Sequence, residues 1–311
     1  MKQPFIDALE NRSLTELQQI PKSDLHNHAG RGGNMKYIAA WANTSILPPS
    51  SKFKSLGEMQ EWFVSNVKCH CPGTQGYLKR IEASFVQAAG DGIERLALSF
   101  GIDEIDVLGG MEAFILTMDG LHHHYAPHTH FLPELALDSG CNIAETLDRL
   151  EEILTYHWFR SIDICGRELA QPVRNFRALY RRAKMAGLLL KAHSGEFGSA
   201  DDVMEAVEEL ELQEVHHGIA AARSPQIMNW LAGHNITLNV CPTSNVMLSR
   251  TKDYSSHPVR ALHHAGVPVT INTDDMLIFN QSVSEEYLNL YNSGLLSANE
   301  LNEIRETGLR S

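Results

Sequence analysis

The stretch PKSDLHNHAGRGG, residues 21–33, sets two imidazoles one residue apart, His26 and His28, directly behind a short apolar–polar run. In an extended strand, residues i and i+2 face the same side. A strand over Asp24–His28 therefore turns both rings toward one point, where they can share an ion. Two histidines alone do not require this, so the reading rests on what other strands deliver to the same place.

Seven further segments read as strands: Leu96–Ile102, Phe131–Leu137, Trp158–Ile164, Leu188–His193, Val215–Ile219, Ile236–Val240 and Val267–Asn272. Pro133 weakens the second of them. Helical spacing separates the strands. Asn142–Thr155 places Ile143, Leu147, Leu150 and Leu154 on one face, and Phe176–Ala186 stops at Gly187. Ser199 can cap a helix striped by Val203, Ala206, Val207 and Leu210, with Asp202 in its first turn. Helices are also expected over Pro225–Ala232 and Val259–Ala265. Such alternation predicts a mostly parallel sheet covered by helices. Eight strands fit an α/β TIM-type (β/α)8 barrel, and an open doubly wound sheet is the rival.

The polar residues separate these two folds. His26 and His28 close the first strand, His193 closes LLLKAH, His217 closes EVHH, and Asp274 and Asp275 follow VTINT. In a barrel the C-terminal strand ends meet around one mouth, so these segments would bring histidines and a carboxylate together as a zinc-type donor set. Glu196, three residues after His193, can reach over the same mouth and handle protons, which a metal ion cannot do for a leaving group. Gly166, after SIDIC, would let a ligand approach the backbone closely. His216 should point away from His217, and His263 and His264 read as surface or packing residues on a helix.

The 311 residues are 43% hydrophobic, enough for one large core or two modest ones, and 26 Lys+Arg against 38 Asp+Glu give a formal net charge of -12. An acidic surface argues against nucleic-acid or anionic-membrane partners. No run of 18 apolar residues is present, and the N-terminal MKQPFIDALENRSLTEL carries acids where a signal peptide needs an apolar run, so a cytoplasmic location is expected. The odd number of cysteines (Cys69, Cys71, Cys141, Cys165 and Cys241) suits free thiols. The histidine-rich 122–130 segment reads as a polar loop or helix end.

In order along the chain, PKSDLHNH (21–28), SIDICGRE (161–168), HSGE (193–196), HHG (216–218), CPTSN (241–245) and NTDD (272–275) resemble the adenosine deaminase family of metal-dependent hydrolases. The resemblance implies a TIM-type barrel with one divalent ion, most often Zn2+, held by His26, His28, His193 and Asp274. It implies that Glu196 protonates N1 of an adenine ring and that His217 orients or deprotonates the attacking water. Asp275 would meet N7, the Gly166 amide would meet N3, and Ser244 would lie beside the ligands.

The chain departs from the family around the sugar. Where the family continues its first motif as HLDG, this chain has Ala29-Gly30-Arg31, so the aspartate that would meet the 5'-hydroxyl is absent and Arg31 is new. A guanidinium suits an anionic 5' substituent. Glu214-Val215 and Met276 also replace residues usual in the family. The expected organisation is one aminohydrolase domain, 1–311, with additional helices over the C-terminal mouth. A candidate helical lid lies at about 35–85, carrying Trp41, Phe53, Leu56, Met59, Trp62 and Phe63. The expected ligand is a small purine nucleoside or base, with adenosine first. Free adenine, a 5'-modified adenosine or an adenine nucleotide follow. A metal hydrolase of another class and a non-catalytic nucleoside-binding barrel are the more distant readings.

Overall fold

The structure, a computed structural model, describes residues 2–311. All eight strands form: β1 Lys22–Asp24, β2 Ile93–Gly101, β3 His130–Asp138, β4 Ser161–Cys165, β5 Leu189–Ser194, β6 Glu214–His217, β7 Thr237–Val240 and β8 Val269–Ile271. Neighbours in sequence pair in parallel, in the order β1 to β8. The ring is brought together by the loops that follow β1 and β8. The Asp274 N–H donates to His26 O at 2.9 Å and the His28 N–H to Asp274 O at 3.2 Å. The Leu25 N–H donates to the Asn272 side chain at 2.7 Å. This is a (β/α)8 barrel, and the open sheet is excluded.

Several boundaries differ from the sequence reading. β1 ends at Asp24, so His26 and His28 lie beyond it, kept extended by isolated bridges from Asn27 to Asp274 and from His28 to Ser99. β4 begins at Ser161, after Trp158, and β6 ends at His217, with Ile219 already in a 3-10 turn. Pro133 sits inside β3. Its carbonyl accepts from Arg160 N–H on the β4 side, so its missing N–H faces that side too, just before pairing begins at Glu134–Ser161. Ser199 and Asp202 bond reciprocally, each side chain to the other's N–H, starting the helix Ala200–Leu210.

The apolar face of each surrounding helix packs on the strands, giving one core from Phe5 to Ile304. The barrel interior below the mouth is ionic. Lys191 Nζ lies 3.0 Å from Glu134 and 3.3 Å from Glu214, and His216 Nε2 lies 2.9 Å from Glu134 Oε1. Asn239 completes the layer by donating to Glu214 at 2.8 Å. Buried charges persist only when paired in this way. The layer supports the mouth directly, because the His216 ring stacks on that of His26 at 4.0 Å.

A second apolar cluster lies over the mouth. Met35 and Ile38 from helix Met35–Trp41, with Phe53 and with Met59 and Phe63 from helix Leu56–Asn66, pack on Leu248 and on Leu277–Phe279 beyond β7 and β8. Leu56 and Trp62 join this cluster, whereas Trp41 is exposed. Helix Gly73–Gly90 belongs to the barrel wall, through Tyr77, Ile81 and Phe85. No helix among the described residues is long and apolar enough to cross a membrane.

Candidate active site

His26, His28, His193 and Asp274 converge, with one ligand atom from each lying within 4.8 Å of all the others. Three separations define the cluster: His26 Nε2 to His193 Nε2 3.0 Å, His28 Nε2 to Asp274 Oδ1 3.2 Å, and His26 Nε2 to the same oxygen 3.5 Å. The other ring nitrogens fix the tautomers. His26 Nδ1 lies 3.2 Å from Asn239 O, and His193 Nδ1 lies 2.9 Å from Asp163 Oδ2. Both partners are acceptors there, so each Nδ1 donates and each Nε2 is left with a lone pair. With both rings neutral, two lone pairs face each other across 3.0 Å, a contact that a shared proton or a cation beside both relieves. The donor set therefore fits a divalent ion with nitrogen and oxygen ligands.

Asp163 escaped the sequence reading. Its one visible signal is a fully buried acid between two isoleucines in β4. Carboxylates behind ligating imidazoles sustain ligand basicity, and their loss typically costs about 10- to 100-fold in metal affinity. Asp163→Asn should lower metal affinity by roughly that factor in a chelator competition. Unchanged affinity would contradict this role for Asp163.

Glu196 and His217 stand next to the cluster. His217 Nε2 lies 3.7 Å from both Glu196 Oε1 and Asp274 Oδ2. Burial raises the Glu196 carboxyl well above its ordinary range, and the charges of Asp274 and Glu168 add to the shift. A cation beside Asp274 would cancel part of that repulsion but not the effect of burial. Glu168, also absent from the sequence reading, grips the loop carrying Glu196. It accepts backbone N–H bonds from Gly195, Glu196 and Phe197 at 2.5, 3.1 and 2.6 Å.

A relay fixes the His217 ring. The Val259 N–H donates to His257 Nδ1 at 3.1 Å, so neutral His257 carries its proton on Nε2. That proton goes to Asn245 Oδ1 at 3.2 Å, which turns the Asn245 NH2 to donate to His217 Nδ1 at 3.1 Å. Burial holds both histidines down to about 3, hence neutral. His217 accordingly presents Nε2–H to the cluster. His257→Leu should leave metal content intact and lower kcat by roughly 10-fold, because the ring is released to the other tautomer. An unaltered kcat would show that the relay has no part in turnover.

The cavity beside the cluster has a volume of about 520 Å³, within the usual range for small-ligand sites. Gly166, Arg31, Glu196, His217, Asp274 and Asp275 all line it. Gly166 has φ +97°, and a Cβ there would meet Asp138 Oδ2 at 3.1 Å. The conformation and the crowding both favour glycine, and its N–H makes no backbone hydrogen bond among the described residues. Asp275 is buried and its carboxyl is raised by burial, with Arg31 opposing. Arg31 Nη1 lies 3.6 Å from Asp275 Oδ2, and the guanidinium sits 5.4 Å over the Phe63 ring. Ser244 is buried beside Asp274, but its hydroxyl forms no hydrogen bond of ordinary geometry. His216 points into the ionic layer below the mouth, away from the cleft.

The adenosine deaminase family model matches residues 134–311, more than half of the chain. The chain belongs to the adenosine deaminase family. It is therefore an aminohydrolase, in a family whose members depend on a metal. A Treponema pallidum (strain Nichols) protein named "Putative adenosine/adenine deaminase" is 29% identical over 287 residues, 92% of this chain and 96% of that protein. An adenine deaminase from Arthrobacter aurescens superposes with TM-score 0.80 at 22% identity, covering 93% of each chain. An amidohydrolase from Burkholderia ambifaria with bound zinc gives TM-score 0.76 at 19% identity, over 96% of this chain and 86% of that one. At those identities the two solved structures speak to the fold.

Proposed function

We propose that this family member removes the 6-amino group of an adenine nucleoside, adenosine first, giving the inosine-type product and ammonia. One observation carries the reading. Glu196 and Asp275, two buried carboxyl groups beside the metal cluster, each keep one oxygen with no hydrogen-bond partner, and both are raised toward the protonated form. A protonated carboxyl is a donor. Adenine presents acceptor nitrogens, N1 and N7, on either side of its 6-amino group.

His26, His28, His193 and Asp274 would hold the ion, and the nitrogen-rich set suits zinc. When bound, the ion lowers the pKa of water and so supplies the nucleophile near neutral pH. Glu196 delivers a proton to N1, which draws electrons from C6 and makes it open to attack. Asp275 donates to N7 and the Gly166 amide to N3. His217 presents Nε2–H, so it orients the attacking oxygen instead of removing its proton. The hydroxyl added at C6 gives its proton to the amine as the carbonyl forms and the C–N bond breaks, ammonia leaves, and the proton released from the activated water restores Glu196, so one water is consumed for each ammonia. The helices Met35–Trp41 and Leu56–Asn66 close the cleft from water as part of the same single domain. Arg31 holds Asp275 from the side on the cavity wall.

Free adenine is the second reading, favoured by Gly30, which offers no side chain to a sugar. A substrate panel separates the two. With metal-loaded protein, kcat/KM should rank adenosine above adenine, and both far above guanosine and cytidine. Adenine ranking above adenosine would transfer the proposal to the free base.

A further inference from the structure

Glu104 stands in the cleft with half of its carboxylate unused. It lies in the 3-10 segment Ile102–Leu108, directly after β2, and lines the same cavity as the metal cluster. Oε2 accepts from the Gly101 N–H and from the Tyr77 hydroxyl, both at 3.1 Å. Oε1 has no hydrogen-bond donor among the described residues and lies 3.7 Å from where a Cβ on Gly30 would stand. The nearby cations are committed elsewhere. Arg80 donates to Gly30 O at 2.9 Å and to Cys71 O at 3.0 Å, while Arg31 sits against Asp275 and Phe63. Neither forms an ion pair with Glu104.

An acceptor held rigidly at one oxygen and left free at the other is suited to a neutral donor arriving with the substrate. We propose that Glu104 reads the sugar, its Oε1 accepting a hydrogen bond from one hydroxyl of the bound nucleoside in the space that Gly30 leaves open. The proposal rests on the nucleoside reading above. The β2 rim thereby supplies a contact that Gly30, with no side chain, does not.

The test is a cycle of substitutions in protein and substrate, with kcat/KM measured for adenosine and its 2'-, 3'- and 5'-deoxy forms on zinc-loaded wild type and Glu104→Ala. Glu104→Gln serves as the variant that keeps the side-chain volume, and melting temperatures check folding. Adenosine should lose about 10- to 100-fold in Glu104→Ala, chiefly in KM. One deoxy analogue should already be impaired on wild type and lose little more on the variant. Equal losses for adenosine and all three analogues, or no loss, would overturn the assignment. The same cycle run on dissociation constants of purine riboside and its deoxy forms needs no turnover. If wild type deaminates none of the nucleosides, the deaminase reading fails, and the titration still decides on Glu104. Riboside binding that is absent, or indifferent to Glu104→Ala, overturns this proposal.

Discussion

Glu196→Gln should lower kcat/KM for adenosine by about 10²- to 10⁴-fold, the usual share of a positioned proton donor, while metal content and melting temperature stay near wild type. The substitution is informative because Glu196 Oε1 has no hydrogen-bond partner in the protein. Glutamine keeps the volume and removes a buried acid, so the fold loses nothing that the carboxyl was holding. The amide can still donate a hydrogen bond to N1, but it cannot transfer a proton there. The expected pattern is therefore a fall in kcat with a smaller change in KM. Near-normal turnover, measured by the absorbance change from adenosine to inosine, would remove Glu196 as the proton donor.

Asp274→Asn is the second large effect. Asp274 adopts φ +63°, a left-handed conformation that asparagine accepts at little cost, so the backbone should survive. The amide offers the cluster a weaker ligand and no charge to balance a dication. Without that carboxylate the mouth keeps three imidazoles but loses its one anionic ligand, so the ion is held less tightly. Metal remaining after dialysis against a mild chelator should fall from about one ion per chain to near zero. Turnover should fall on the order of 10³-fold, corresponding to several kcal/mol of lost stabilisation. A variant that retains its ion and its rate would place the fourth ligand elsewhere.

The fold was legible because strand and helix patterns alternate and the chemistry-bearing residues fall at strand ends. His193 and His217 end or nearly end β5 and β6, where the period-two reading puts them. The HxH segment was legible as a pair but not as a strand. Its extended form comes from bridges to Asp274 and Ser99, residues 246 and 71 positions away from His28, and no local pattern encodes such partners. Buried charges inside apolar runs, Glu134 in FLPELAL, Asp163 in SIDIC and Lys191 in LLLKAH, were the unread signals. Each breaks an apolar run and so has to find a partner across the barrel. The relay through Asn245 and His257 could not be read locally, because it depends on a backbone N–H fixing one tautomer after another. Glu104 was hidden for a related reason. Its significance arises only when the β2 rim comes to face Gly30, 74 positions earlier in the chain.

Metal-dependent deamination is tested by a joint measurement of ammonia and inosine from adenosine, set against the zinc content of the same preparation. One ammonia should appear for each inosine, at a rate proportional to bound metal and abolished by its removal. A folded, fully zinc-loaded protein that leaves adenosine unchanged would contradict this expectation.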